Sequence, residues 1–372
     1  MPRLTIDSRE VQVPDGATVL DAARALGIEI PTLCFLEGRR PSTSCMVCLV
    51  KINGSPTLAP SCGTVAAEGM VVESETPEVH EARRTALELL LGEHLGDCHA
   101  PCRLAHPTLL DIPRLIRHVA AGEFAEAAAL AAGHPDAGGD DTKAPPYERA
   151  CRRGRKDQPV AIERLVRFAR QQARFSSGAP PESEEALTPA LSQGERGPEG
   201  PRDAAKPPRP FSVHIGRLSD EEMAEYSRLA SDAPRTVPAD GHAFTPDEAR
   251  DEAARCLHCD CRRLADCRLK QWAERYGANP RRFRGTPRVF RQHLGPTGLI
   301  YEPGKCILCG LCVQIAEAAR EPLGLAFVGR GFDVRVGVPF NDALADALTR
   351  VAADCAAACP TGALAFADQS EA

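Results

Sequence analysis

Cysteine is the residue type in this chain that most clearly could carry out chemistry, because its sixteen copies in 372 residues are clustered rather than scattered. The N-terminal cysteine group consists of Cys34, Cys45, Cys48 and Cys62, spaced C-x10-C-x2-C-x13-C. Cys45 and Cys48 flank a short turn and can bind one metal atom together, while the other two approach from either side. Four thiolates, two per iron, are the ligands of a [2Fe–2S] cluster. A disulfide pair or a zinc site is the alternative.

A second set of thiols lies near the other end of the chain. The C-terminal cysteine group consists of Cys306, Cys309, Cys312 and Cys359. Its C-x2-C-x2-C run and its distant Cys-Pro pair are typical of a [4Fe–4S] cluster. Ala316 stands where a two-cluster ferredoxin would place a further ligand, so one cluster is predicted. Cys355 is left over and is interpreted as a buried small residue, with replacement of Cys359 as a ligand as the alternative.

A third set lies between these two and has a tighter spacing. It consists of Cys256, Cys259, Cys261 and Cys267. Four soft ligands at C-x2-C-x-C-x5-C suit a structural zinc ion or a [4Fe–4S] cluster, and the spacing leaves both open. Thr245 as N-cap and Pro246 in the first turn predict a helix that leads into this set. On such a helix His258 would point away, so it is not predicted as a ligand.

The N-terminal part resembles a known family. The order of the N-terminal cysteine group, followed by residues 83–91 (RRTALELLL) and His94, resembles the first module of the large iron–sulfur subunit of bacterial respiratory complex I. NAD-reducing hydrogenases and NAD-dependent formate dehydrogenases carry the same module. Residues 328–333 (VGRGFD) are similar to a later part of that subunit. In this family a histidine and three cysteines hold a [4Fe–4S] cluster beyond such a helix, whereas here only Cys98 and Cys102 follow His94 closely.

The next part resembles another family. Residues 98–107 (CHAPCRLAHP), 111–113 (DIP) and 150–154 (ACRRG) are similar to the helical iron–sulfur domain of the glutamate synthase small subunit. The resemblance implies one [4Fe–4S] cluster with the ligands His94, Cys98, Cys102 and Cys151. The second cluster of that domain would need cysteines at His106, Lys143 and Tyr147, and is expected to be absent. Two alternatives stay open: His94 is a helix C-cap, or His106 is the fourth ligand.

The elements that must position these residues predict an α+β multidomain chain. Residues 1–79 read as strands, one helix and further strands, and we expect a β-grasp [2Fe–2S] ferredoxin domain. Helical periodicity predicts a helical [4Fe–4S] domain over 80–175, with one histidine and three cysteines as ligands. Residues 176–210 are rich in proline and are predicted to be a disordered linker. A helical segment with the four-cysteine site (211–297) and a [4Fe–4S] ferredoxin-like domain (298–372) complete the prediction.

Composition excludes several functions. The formal charge of −6 argues against general nucleic-acid binding. We find no signal peptide and no apolar run long enough to span a membrane, and clustered cysteines favour a reducing, cytoplasmic location. No G-x-G-x-x-G follows a predicted strand, so no flavin or nicotinamide site is expected on this chain.

These observations predict a non-catalytic electron-transfer subunit of an NAD(P)H-linked oxidoreductase. It would hold one [2Fe–2S] and two or three [4Fe–4S] clusters, with zinc as the alternative at Cys256–Cys267. A flavin- and NAD(P)H-binding subunit and a catalytic oxidoreductase subunit are the expected partners, between which it would relay single electrons. A free-standing redox sensor or cluster-carrying scaffold is the alternative function. A structural protein that zinc holds together is a third possible function.

Overall fold

The computed structural model describes residues 1–134, 144–177, 210–238, 243–285, 289–295 and 298–367. Most of the predicted linker, 176–210, lies outside these residues, as does Lys143. The chain forms two compact units: unit 1 comprises Met1–Cys98, Phe211–Glu225 and Cys261–Ala372, and unit 2 comprises His99–Pro210 and Tyr226–Asp260. This division differs from the predicted one, because residues 80–98 belong to unit 1 and the segment 211–297 contributes to both units.

The described elements are short strands and mostly short helices. The strands are β1 Arg3–Ile6, β2 Arg9–Gln12, β3 Leu49–Ile52, β4 Ala59–Pro60, β5 Val71–Glu73, β6 His293–Leu294, β7 Leu299–Tyr301, β8 Ala326–Val328, β9 Arg335–Gly337 and β10 Leu364–Phe366. The helices are α1 Val19–Ala25, α2 Pro77–Gly92, α3 Pro101–Ala105, α4 Ile112–Ala121, α5 Phe124–Ala132, α6 Pro146–Arg149, α7 Ile162–Ser177, α8 Asp220–Ser227, α9 Pro246–Ala253, α10 Arg268–Arg275, α11 Leu311–Ala318, α12 Leu344–Ala347 and α13 Ala352–Ala358. None of the described helices is long and apolar enough to cross a membrane.

The N-terminal part of unit 1 is a five-stranded sheet with the order β2-β1-β5-β3-β4. The parallel pairing of β1 with β5, between antiparallel neighbours, is the arrangement of a β-grasp sheet. Leu4 and Ile6 alternate toward the core, as half-buried strands require. In the sequence, Thr18 before an apolar helical pattern that ends at Gly27 predicts an N-cap, and the structure confirms it, because Thr18 and Asp21 form a reciprocal capping box at the start of α1. The N-terminal elements therefore frame the long loop that carries the first thiols.

The C-terminal part of unit 1 combines a three-stranded sheet, β10-β7-β6, with a β8–β9 hairpin and helices α11 and α13. Glu321 holds the main chain in place just before α13 through hydrogen bonds. Its carboxylate accepts hydrogen bonds from the Thr349 hydroxyl (2.7 Å) and from the main-chain N–H groups of Arg350 (2.6 Å) and Val351 (3.0 Å). Burial opposes the charged form, but these donors outweigh it and lower the pKa of Glu321 to about 2.

Replacement of Glu321 by glutamine should therefore reduce stability in a pH-dependent way. A carboxyl with a depressed folded-state pKa stabilises the fold fully above its unfolded pKa of about 4.5, and this contribution is lost as pH falls toward about 2. The midpoints of thermal unfolding of wild type and Glu321→Gln should differ most near neutral pH and should converge in acid. A difference that stays constant across this range would contradict the assignment.

Unit 2 is helical, with α4, α5, α7 and α9 packed around one apolar core. The periodicity of residues 106–131 predicts one helix, but the structure has two, because Gly122 takes a left-handed φ of 78° and ends α4. The capped start of α9 is confirmed: Thr245 and Glu248 form a capping box and Pro246 occupies the first turn. Helix α9 points its C-terminal end into the loop that begins at Cys256.

Candidate metal centres

The N-terminal cysteine group is brought together in unit 1, and all four of its side chains are buried. Its sulfurs form two pairs. Cys48 Sγ and Cys62 Sγ are 3.3 Å apart, and Cys34 is hydrogen-bonded to Cys45 and also to Cys62. These hydrogen bonds lower the pKa of Cys34, and the bond from Cys62 lowers that of Cys48 to about 7. Two pairs of thiols, with one member of each already inclined to ionise, fit a [2Fe–2S] cluster with two ligands per iron.

The C-terminal cysteine group lines one small cavity in unit 1. Tyr301, Val336 and Thr361 are among the other residues around it. The N–H of Leu308, a residue with a left-handed φ of 55°, donates to Cys306 Sγ at 3.4 Å. Burial and the neighbouring thiols raise the pKa of Cys309 to about 12. Four thiols around an enclosed, largely apolar space fit a [4Fe–4S] cluster.

Cys355 lies outside this cavity lining. It is fully buried on α13 and its thiol donates to the main-chain oxygen of Cys312 at 3.6 Å. This is the position of a small buried residue next to the group, whereas Cys359 lines the cavity itself.

Three further thiols lie together in unit 1. The N–H of Cys261 donates to the main-chain oxygen of Cys98 at 3.2 Å. Main-chain N–H groups reach two of the sulfurs: Val213 donates to Cys98 Sγ at 3.3 Å and Lys270 to Cys267 Sγ at 3.5 Å. Burial, together with the charge of Cys261, raises the pKa of Cys98 to about 11 and that of Cys267 to about 12. We call these three cysteines, with His94, the mixed group.

His94 follows α2, and its Nδ1 is a buried atom without a hydrogen-bond partner. Burial, and next the charge of Lys305, lower the pKa of His94 to about 4, so its ring is neutral near pH 7. A neutral imidazole with an unused nitrogen can bind a metal. The C-cap of α2 is Glu93 rather than His94. Lys305 also acts electrostatically on Cys98 and is itself affected by Cys261, which places the histidine and these thiols around one side chain.

The helical-unit group is a fourth set, formed within unit 2. Cys102, Cys151, Cys256 and Cys259 line one cavity. Apolar side chains such as Ile116, Val160 and Ile162 surround them. Burial, followed by the charges of the other three thiols, raises the pKa of Cys102 well above its ordinary value. The cations Arg117 and Arg153 act electrostatically on Cys256 and Cys151 respectively, which offsets part of the negative charge that four thiolates would carry.

This grouping differs from the one predicted by sequence spacing. The family resemblance joined His94 and Cys98 with Cys102 and Cys151, and the spacing kept Cys256–Cys267 as one set. In the structure Cys98 and Cys261 are main-chain neighbours at the two ends of segment 99–260. The chain leaves unit 1 after Cys98, contributes Phe211–Glu225 to it, and returns to it again at Cys261, so each predicted set is divided between the two units. The spacing of neighbouring cysteines does not show which cysteines such a return connection brings together.

The structure also bears on the alternatives for these sites. The zinc alternative at Cys256–Cys267 needs these four cysteines in one set, whereas Cys256 and Cys259 belong to unit 2 and Cys261 and Cys267 to unit 1. His106, the rival ligand to His94, is absent from the lining of the Cys102 cavity. Its Nδ1 accepts from the N–H of Thr108 at 3.3 Å, and its ring packs on Tyr147.

Buried cations next to the thiol groups are residues that the sequence analysis missed. The basic run 152–156 suggests a solvated helix entry, yet Arg153 is fully buried and donates to Asp157 and to the main-chain oxygens of Ser231 and Arg255. Its i,i+4 spacing to Asp157 was the available signal. Lys305, which directly precedes a predicted ligand, is likewise buried and gave no signal in the sequence.

Comparison with known proteins assigns the N-terminal module to a class. Residues 2–77 match the family model of the 2Fe-2S iron-sulfur cluster binding domain, so this module is a [2Fe–2S] cluster-binding domain. The chain is 49% identical over 98 residues to a subunit of the NADH-quinone oxidoreductase of Rhizobium meliloti (strain 1021), and 48% identical over 103 residues to NADP-reducing hydrogenase subunit HndD of Solidesulfovibrio fructosivorans. These matches cover 26% of this chain and only 12% and 18% of those proteins.

Other similarities agree with this assignment. NADPH-Fe(3+) oxidoreductase subunit alpha of Geobacter sulfurreducens (strain DL-1 / KN400) is 39% identical over 98 residues, which are 26% of this chain and 12% of that protein. A solved NAD+-reducing [NiFe]-hydrogenase, in the H2-reduced state, shares the fold with a TM-score of 0.51 and 18% identity, covering 100% of this chain and 90% of that one. The predicted resemblance to iron–sulfur subunits of NAD(P)H-linked oxidoreductases is therefore confirmed.

Proposed function

We propose that this chain is a multi-cluster electron-transfer subunit that relays single electrons between a flavin- and NAD(P)H-binding subunit and a catalytic oxidoreductase subunit. The observation that carries the proposal is that every cysteine except Cys355 belongs to one of four groups of buried or half-buried thiols. The similarity to subunits of NADH- and NADPH-linked oxidoreductases supports the partners. A reducing, cytoplasmic location is part of the proposal, because the cysteines are free thiols.

Each group is proposed to hold one cluster. The N-terminal cysteine group would hold [2Fe–2S], and the C-terminal, mixed and helical-unit groups would each hold [4Fe–4S]. When bound, such clusters supply one-electron redox chemistry. The contribution of the chain is to bind them through thiolates and one imidazole, to bury them away from water and to donate main-chain hydrogen bonds to sulfur, which adjusts their potentials.

The Cys256–Cys259 turn supports a cluster of the [4Fe–4S] type in unit 2. In this turn the second intervening residue, His258, has a left-handed φ of 46° and its N–H donates to Cys256 Sγ at 3.4 Å. Leu308 in the C-terminal cysteine group has the same conformation and donates to Cys306 Sγ at the same distance. In the [2Fe–2S] loop the left-handed residue is instead the first one, Met46. A left-handed non-glycine residue costs backbone energy, so its recurrence at the same position indicates a shared requirement.

Elemental analysis and EPR of the full chain, purified anaerobically, test the proposal. One [2Fe–2S] and three [4Fe–4S] clusters require about 14 iron atoms per chain and no stoichiometric zinc. Cys151→Ser should lose one cluster's iron and sulfide, whereas Cys355→Ser, the matched buried thiol, should lose none. Retained iron in Cys151→Ser, or a colourless zinc protein, would contradict the ligand sets.

The electron-transfer role itself is tested by partner capture. The chain, tagged and isolated from cells at native levels, should co-purify with a flavoprotein that reduces its clusters when NADH or NADPH is added. A chain that remains monomeric and transfers electrons to no partner would favour the redox-sensing scaffold instead. The two experiments are independent, because cluster content can be correct while the proposed partners are wrong.

A further inference from the structure

Lys305 is a buried cation that none of the proposed ligand sets uses. Its side chain is 2% exposed and forms an ion pair with Glu302, which is 3% exposed. Burying two charges carries a desolvation cost that offsets much of the attraction between them. The ammonium group of Lys305 and the carboxylate of Glu302 are hydrogen-bonded to each other inside this buried pair.

The main chain around Lys305 is held without this ion pair. The Thr361 hydroxyl donates to the main-chain oxygen of Lys305 at 2.9 Å, and the N–H of Lys305 donates to the main-chain oxygen of Glu302 at 3.0 Å. The N–H of Leu95 donates to the main-chain oxygen of Gly304 at 2.7 Å. These main-chain bonds hold the loop before Cys306 in addition to the side-chain ion pair.

The main chain of Lys305 directly precedes the C-terminal cysteine group. Its side chain extends away from that group and into the mixed group. Gly96 provides space for it, because a Cβ there would lie 2.7 Å from Lys305 Cε. A Cβ at Gly362 would lie 3.8 Å from Lys305 Cδ, at van der Waals distance, and would overlap Cys261 Sγ of the mixed group. The charge of Lys305 acts on His94 and Cys98. One residue thus adjoins two of the proposed clusters, with its main chain at one and its charge at the other.

We propose that Lys305 and Glu302 are positioning charges that set the reduction potential of the centre held by the mixed group. The inference rests on the proposed function, since it requires a cluster at that site. Reduction adds one negative charge to the site. A nearby ammonium group favours the reduced state and a carboxylate opposes it, and both effects are strong where water is excluded. The pair therefore holds the potential at an intermediate value, with Lys305 raising it and Glu302 lowering it.

The test is an EPR-monitored redox titration of the full chain, with the mixed-group signal identified as the one lost in Cys267→Ser. Lys305→Met should shift the reduction equilibrium at least tenfold toward the oxidised state, which is 59 mV lower for a one-electron couple. Glu302→Gln should shift it at least tenfold in the opposite direction, and the double variant should return close to wild type. Lys51→Met, which removes an exposed ion pair with Glu78, is the control and should cause no shift.

Shifts of the reduction potential with opposite signs in Lys305→Met and Glu302→Gln distinguish this role from a structural one. Loosening of the fold would shift the potential of both variants in the same direction. Shifts of the same sign, or none, would overturn the inference. If Lys305→Met fails to fold, Glu302→Gln still has to raise the potential, and Lys305→Arg has to stay near wild type. A wild-type chain without any signal lost in Cys267→Ser would instead contradict the ligand set of the proposed function, so the two failures are distinguishable.

Discussion

Gly362→Ala should remove the cluster that we propose for the mixed group while leaving the chain folded. A methyl group at this position would overlap Cys261 Sγ. The backbone at Gly362 is outside the left-handed region, so alanine itself is tolerated there. The thiol has to rotate away, at a cost of about 1–3 kcal/mol. That cost is small for the fold, but the rotated sulfur no longer lies beside Cys98 and Cys267, and the site loses one of its ligands.

The measurement is iron and sulfide per chain, together with the EPR signal lost in Cys267→Ser. We expect Gly362→Ala to lose one cluster and to retain the signals of the other groups. The matched control is Gly285→Ala, because a Cβ there meets no atom within 4 Å and the backbone is also outside the left-handed region. Full iron content in Gly362→Ala would show that Cys261 is not a ligand. Loss of iron in Gly285→Ala as well would indicate a general folding defect.

The sequence predicted those sites whose cysteines come from one continuous loop, or from one loop and one distant Cys-Pro pair. The N-terminal and C-terminal cysteine groups are both brought together as predicted by spacing, because a C-x2-C turn places two thiols side by side wherever it occurs. The resemblance and the spacing grouped the eight residues of the other two proposed sites differently from the structure. Their assembly depends on Cys98 and Cys261 being main-chain neighbours, which is a property of the tertiary fold.

The secondary-structure elements were predicted more reliably than the burial of charged residues. The caps at Thr18 and Thr245 and the apolar stripe of α4 follow from local patterns, and the structure contains them. Arg153 and Lys305 look like ordinary surface residues in the sequence, yet both are buried. A cation is buried only when its partners are assembled around it, and several of those partners are main-chain oxygens, which a sequence pattern does not show.

Glu252→Gln should destabilise unit 2 by about 3–5 kcal/mol, the cost of breaking a buried ion pair. The carboxylate is fully buried and accepts from the N–H groups of Ala161 (2.7 Å) and Thr236 (2.7 Å) and from Arg255 (2.9 Å). Glutamine keeps one acceptor oxygen and places an amide donor against one of these N–H groups. It also leaves Arg255 with Asp157 as its remaining carboxylate partner. Because Arg255 directly precedes Cys256, the loss reaches the helical-unit group.

Native-state hydrogen exchange measures this loss for each unit separately, which a global unfolding curve of two units does not. Core amides of α4 should exchange about 10²- to 10⁴-fold faster in Glu252→Gln, while those of the N-terminal sheet in unit 1 stay unchanged. Asp247→Asn is the matched control, an acid-to-amide change on the same helix that removes an exposed pair with Arg250 and should cost less than about 1 kcal/mol. Equal acceleration in both variants would mean that Glu252 is no more important to unit 2 than a surface carboxylate. Acceleration in unit 1 as well would mean that the two units open together.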